Sequence, residues 1–309
     1  MLKSAINSLT GALLMLSNSR SIKTVAITMG DPRGIGPEVI RKALAKKDIT
    51  RLGSFILVGN RQLFGKTSYA ILDIPYRSAA EGSLKFLNKG IELIKGGVVD
   101  ALVTAPLSKE AVSHYKKNFC GHTEYLADSF GIKQFDMMFV SSNLRLSLVT
   151  RHVPLKDVAK LITKNSVFSS IDLMNKTLKN KFKISQPKIA ILGLNPHAGE
   201  AGLLGQEEKK YIIPAIKLAK SKGIKAFGPF SADTFFIHDK GFDGVVAMYH
   251  DQGLAPMKGL YFKNLVNFTA GLPFVRTSPV HGTAFDIAGK NKADPSSMIA
   301  AIKLAFQLA

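Results

Sequence analysis

Three of the seven histidines, His152, His197 and His250, each follow a short apolar run. Neutral imidazole is a good ligand for divalent transition metals. Three such ligands with coordination positions left open describe a catalytic rather than a structural site. A hydrogen-bonded structural role is the plainer reading of any one of them, and the repetition is what favours a metal. Asp251, beside His250, is placed to orient a ligand, complete the shell or handle a proton. Asp233, in Ser231-Ala232-Asp233-Thr234, reads equally as a functional carboxylate or as a helix N-cap. Downstream, Lys258, Asn267 and Arg276 lie among Gly253, Gly259, Gly271 and Pro273. A spaced Lys, Asn and Arg can surround a phosphate and a carboxylate, with Arg supplying a bidentate grip. Surface solvation would account for Lys258, but less well for Arg276, which follows the apolar Leu272-Pro273-Phe274-Val275. Gly121-His122-Thr123 offers an imidazole and a hydroxyl at a helix start, where an anion is favoured, unless Thr123 is simply the cap.

Short apolar runs alternating with helical patterns must position these groups, which implies α/β units around a mostly parallel sheet. Strands are expected at 24–29, 54–58, 101–104, 146–150, 188–192 and 244–248. Helices are expected at 36–45, 82–94, 156–162, 207–221 and 296–308. Pro37 with Glu38 next suits a first helical turn. The polar stretch Asn175 to Lys183 reads as the end of an exposed helix. Polar or Gly- and Pro-fixed residues follow five of the strands: Gly30 to Glu38, then Pro106, Ser108 and Lys109, then Arg151 and His152, then Asn195 to His197, then Tyr249 to Gly253. Because ligands bind beyond the carboxyl ends of strands in open α/β sheets, these five ends predict one assembled site. Gly34-Ile35-Gly36 lacks the third glycine of a dinucleotide fingerprint, so its turn is expected to shape the substrate pocket instead.

A chain of 309 residues with 46% hydrophobic residues suits two packed domains. Its net charge of +20 raises the possibility of nucleic-acid binding, but the lysines are scattered and no nucleic-acid motif accompanies them. The charge reads as a solvated surface that favours anionic small molecules, with no nucleic-acid partner. The single cysteine, Cys120, excludes an internal disulfide and is expected to be a small buried residue. Met1 to Arg20 carries no acidic residue and makes a poor signal peptide, so residues 1–21 are expected to be a disordered extension, or to come from a start upstream of the true one. No segment reaches membrane length, and a cytoplasmic location is expected.

Taken together, the motifs from about Lys23 onward resemble the 4-hydroxythreonine-4-phosphate dehydrogenase family of vitamin B6 (pyridoxine) biosynthesis. The matching segments are Ile27 to Glu38, Val103 to Lys109, Gly121-His122-Thr123-Glu124, Gly193 to Glu200, Ala247 to Gly253 and Gly271 to Ser278. The resemblance implies divalent-metal ligands at His152, His197 and His250, with zinc, magnesium or cobalt as the metal. It also implies substrate contacts at His122, Thr123, Lys258, Asn267 and Arg276. A second segment, Pro279 to Lys290, resembles the adenine-binding segment of isocitrate and isopropylmalate dehydrogenases, which bind NAD without a Rossmann fingerprint. It implies NAD contacts at His281, Gly282, Thr283, Asp286 and Asp294. Phe285 stands where those enzymes carry Pro, and Asp294 where they often carry Asn.

The implied architecture is a homodimer of two α/β/α domains with mostly parallel sheets and the site in the interdomain cleft. One domain would comprise 22–135 plus 256–309, and the other, carrying the dimer interface, 136–255. The implied reaction is NAD-dependent oxidation and decarboxylation of 4-phosphohydroxy-L-threonine to 3-amino-2-oxopropyl phosphate, with Asp251, Asp233 or Lys109 taking the proton. The nearest alternative is a sibling dehydrogenase acting on another phosphorylated four-carbon hydroxy acid. A non-catalytic binding protein and a phosphate acyltransferase have less need of three histidines and the His281 segment.

Overall fold

Thr24–Thr28 and Ala101–Thr104 are buried at every position, so their near-continuous apolar runs are those of strands covered on both faces. A computed structural model of the chain describes residues 22–142, 144–237 and 241–309. The expected N-terminal extension lies outside these residues. The strands are β1 (Thr24–Thr28), β2 (Ser54–Gly59), β3 (Ala70–Asp73), β4 (Ala101–Thr104), β5 (Asp136–Val140), β6 (Arg145–Leu148), β7 (Lys188–Leu192), β8 (Lys225–Phe230), β9 (Gly244–Ala247), β10 (Val266–Ala270) and β11 (Val275–Pro279). They form one continuous sheet in the order β3-β2-β1-β4-β11-β10-β5-β6-β9-β7-β8.

The sheet is mostly parallel, as expected. The antiparallel pairs β11–β10, β10–β5 and β5–β6 lie together at its middle. Across them the direction reverses: β1, β2, β3, β4 and β11 run one way, and β6, β7, β8 and β9 the other. Sheets twist from strand to strand, and the carboxyl ends of β4, β6 and β9 line one cavity despite this reversal.

Helices cover the faces. The helix Ser296–Leu308 buries Met298, Ala301, Ile302 and Ala305, spaced three and four apart, against β11 and β4. The helix Gly36–Leu44, with Pro in its first turn, buries Val39, Ile40, Ala43 and Leu44 in the same rhythm. Its Glu38 is buried as well. Burial opposes ionisation of this carboxyl, but Lys42 at 2.9 Å and the Ala293 amide at 2.8 Å hold it below the usual carboxylate range. That pair fixes residues 291–293, since Lys42 also donates to the Asn291 and Ala293 carbonyls.

Several local expectations change. Helix Lys164–Asn180 does end in the polar stretch, but Asn175, Thr177 and Leu178 are buried there. The stretch 207–221 divides into a π-helical turn, Glu208–Ile212, and an α-helix, Ile213–Ser221. Cys120 is exposed, because the chain leaves the core before the helix His122–Ser129.

Candidate functional site

Register on the middle strands builds the floor of a cavity of about 300 Å³. Asn267 pairs with Ser278 on one side and with Phe139 on the other, and Thr269 pairs with Met137. Side chains alternate along a strand, so Met137, Phe139, Asn267, Thr269, Arg276 and Ser278 share one face. Thr277, between Arg276 and Ser278, points the other way, and its hydroxyl donates to the Ala301 carbonyl of the covering helix at 2.8 Å. A one-residue slip would exchange the two sets.

The walls come from further along the chain. Thr104 closes β4, Ala105 to Leu107 and Lys109 follow it, and His122, Thr123 and Glu124 open the helix His122–Ser129. His152 follows β6. The helix His250–Tyr261 presents His250, Leu254 and Lys258, four residues apart and therefore on one stripe. His281 and Gly282 complete the lining. All five residues expected to contact substrate are thus gathered in one cavity. Thr123 is buried one residue inside the helix, whose N-cap position is Gly121, so the capping alternative is set aside.

Arg276 dominates the electrostatics. It is 1% exposed, and its guanidinium donates to the Thr104 hydroxyl at 2.6 and 3.2 Å and to the Thr269 hydroxyl at 3.1 Å. Burial pulls its pKa down to about 9, with Glu124 opposing, so it stays charged at neutral pH. No ion pair with a described carboxylate neutralises it. A buried charge without a counter-ion costs several kcal/mol, which binding an anion would offset. Burial, Arg276 and Lys109 together hold the His122 imidazole well below its ordinary pKa, which keeps it neutral. The Asn267 carbonyl oxygen and His281 Nε2 are buried without a partner, so each leaves an acceptor free at the cavity.

His152 and His250 approach within the same cavity, with ring centroids 5.5 Å apart. His250 Nδ1 lies 2.6 Å from a carboxylate oxygen of Asp251, which leaves Nε2 as the ring's free nitrogen. A carboxylate behind an imidazole is the usual support of a metal-binding histidine. His197 is not with them. It lines a second cavity with Asn195, Asp233, Tyr249, Gln252 and Pro256, on the other stripe of the helix His250–Tyr261. Among the described residues, no three His, Cys, Asp or Glu side chains of one chain gather where they could hold a metal ion. The five strand ends therefore do not form one site in a single chain: those of β4, β6 and β9 reach the first cavity, and that of β7 the second.

The loop carrying His197 is left-handed from His197 to Gly202, with φ between 39° and 94°. Its non-glycine members each cost about 1–2 kcal/mol in that conformation. Of the proton-acceptor candidates, Lys109 faces the first cavity and Asp251 is engaged with His250. Asp233 stands in the second cavity, where Ser231 occupies the N-cap position and its hydroxyl donates to Asp233 at 2.6 Å.

The turn at Gly34 and Gly36 lines neither cavity. It packs on the expected nucleotide segment: the Ile35 amide donates to the Thr283 carbonyl at 3.0 Å. A Cβ on Gly34 would fall 2.9 Å from that oxygen. Arg33, paired with Asp31, lies over the Phe285 ring at 5.3 Å. His281 faces its neighbour's carbonyl at 3.0 Å, Asp286 is exposed, and Asp294 accepts the Ser296 amide at the start of the last helix. Sequence reading passed over Thr104, Thr269 and Glu124, though a polar residue closing the apolar run 101–104 was a usable signal.

Comparison with known proteins places the chain. The family model of pyridoxal phosphate biosynthetic protein PdxA matches residues 44–305. The chain belongs to that family. The 4-hydroxythreonine-4-phosphate dehydrogenase of Sulfurihydrogenibium sp. is 42% identical, covering 92% of this chain and 98% of its own. A crystal structure of the enzyme of the same name from Klebsiella pneumoniae superposes with a TM-score of 0.82 at 34% identity, over 94% of this chain and 99% of that one. A terephthalate 1,2-cis-dihydrodiol dehydrogenase from Burkholderia xenovorans follows at 0.64 and 26%, over 92% and 98%. The fold alone is shared with isocitrate dehydrogenase from Methylococcus capsulatus, at 0.50 and 14%, over 91% and 84%. The family chain is thus an oxidoreductase with the expected α/β fold. No helix among the described residues is long and apolar enough to cross a membrane.

Proposed function

We propose that this chain catalyses the NAD-dependent oxidation of 4-phosphohydroxy-L-threonine, followed by decarboxylation, to give 3-amino-2-oxopropyl phosphate. The observation that carries this reading is Arg276: a buried guanidinium without a carboxylate partner, opening on a cavity that also holds Lys109, Lys258 and His122. Such a cavity suits a small molecule with two anionic ends. Arg276, Lys258 and Asn267 hold the phosphate and carboxylate, and Thr123 and His122 complete the grip. Lys109 is the proton acceptor that the cavity itself offers. His281, Gly282, Thr283, Asp286 and Asp294 hold NAD beside it.

His152 and His250 would hold a zinc, magnesium or cobalt ion, with His197 reaching it from a second copy of the chain in a homodimer. That ion supplies Lewis acidity at the substrate's hydroxyl. The loop of His197 favours such an arrangement, because it leaves Leu203 83% exposed, an apolar surface a second copy would cover. The two runs of strands of opposite direction support a division into two domains, 22–135 plus 256–309 and 136–255.

The test is reduced-nicotinamide formation from 4-phosphohydroxythreonine and NAD, before chelation, after it, and after metal is restored. Turnover abolished by chelation and recovered with metal is expected. Bound metal and NAD with no turnover would overturn the substrate and move it to another phosphorylated four-carbon hydroxy acid.

A further inference from the structure

Glu208 is an acid almost wholly withdrawn from water, 3% exposed, on the first residue of the π-helical turn Glu208–Ile212. It forms no ion pair among the described residues; backbone and amide donors surround it instead. Its Oε1 accepts the Leu194 and Asn195 amides, both at 2.8 Å, and its Oε2 accepts the Asn195 carboxamide at 2.9 Å. The Asn195 carboxamide is shared with Glu207 at 2.8 Å. A Cβ on Gly199 would stand 2.7 Å from Glu208 Oε2, so the left-handed loop closes directly over this carboxylate. π-Turns within helices often mark functional positions, and this one aims an acid at the root of a strained loop.

We propose that Glu208 is a positioning residue: it clasps the exit of β7 and holds His197 in its left-handed presentation. The inference rests on the reading of His197 as a metal ligand. Glu208→Gln removes the charge and sets an amide donor against the Asn195 carboxamide donor, leaving one oxygen for the two backbone amides, so the clasp weakens while the side-chain volume is kept. Asn195→Ala removes only the shared carboxamide and tests the same clasp with less demand on folding.

The experiment compares wild type, Glu208→Gln, Asn195→Ala and His197→Ala by hydrogen exchange and cobalt titration, both without substrate or NAD, and then by steady-state kinetics. For Glu208→Gln, exchange across 193–205 should accelerate at least tenfold. Its cobalt affinity should fall roughly tenfold or more, and kcat should drop with little change in substrate KM. Asn195→Ala should move the same readouts less. His197→Ala should lose cobalt while the 193–195 amides stay protected. If His197→Ala binds cobalt normally, the metal reading fails, and faster exchange in Glu208→Gln would still stand. Unchanged exchange in Glu208→Gln, or in Asn195→Ala if the first variant does not fold, overturns the proposal.

Discussion

The two cavities on either side of the helix His250–Tyr261 are held in different ways. In the first, Asn267 and Arg276 stand on β10 and β11, and the register with the neighbouring strands fixes their direction. In the second, His197 stands on a left-handed loop outside the strand ladder, fastened by a buried carboxylate. On the proposed function, substrate capture is thus built into the core. On the same reading, presentation of His197 rests on a few hydrogen bonds and should be separable from folding.

That contrast is sharpest at Arg276. Arg276→Ala should leave the fold in place, since a buried unpaired charge contributes little stability, while kcat/KM falls by about 10²–10³-fold. Steady-state kinetics beside a thermal melt would check it. Arg276→Lys should lose less, mainly in KM, because one ammonium cannot reproduce the fork. Equal loss of stability and activity would break the distinction between capture and scaffold.

Asp136 tests how firmly the first region is built. Burial pushes its carboxyl up to about 7, with Arg151 at 3.6 Å opposing, and one of its oxygens has no partner. The folded pKa lies above the ordinary value, so the folded state binds the proton more tightly than the unfolded chain does. Its contribution to stability is complete below about pH 4 and is lost as pH rises through about 7. Asp136→Asn should therefore be more stable than wild type at pH 8, by an order of a few kcal/mol at most, with the gap closing toward pH 4. Denaturant melts at the two pH values decide it, and a gap that widens on acidification would be the contrary result.

Gly199 gives the smallest and most local effect. Gly199→Ala should cost about 1–2 kcal/mol from its φ of +80°, with some added strain against Glu208. The loss should appear as faster hydrogen exchange around His197, while substrate KM stays near wild type. A raised KM would mean that the two regions are coupled after all.

Much of this was legible before any coordinates. The runs 24–29, 101–104, 188–192 and 244–248 became strands within a residue of their expected ends, because a strand buried on both faces writes itself as an apolar run. The helices 36–45 and 296–308 declared themselves by three- and four-residue spacing. Lys258, Asn267 and Arg276 stood out as a spaced set able to surround an anion, and Arg276 most of all because a charge after an apolar run needs a reason. By contrast β10 and β11 were not read as strands, since Asn267, Thr269, Arg276 and Ser278 interrupt their apolar pattern, and those residues are the cavity floor. Only the tertiary structure decided that the sheet reverses direction at its middle, that His197 parts from His152 and His250, and that Glu208 lies beneath the His197 loop. Residue type and spacing record which side chains can do chemistry and which faces must be buried. Which of them meet depends on strand order, register and twist, and no local stretch of sequence carries those.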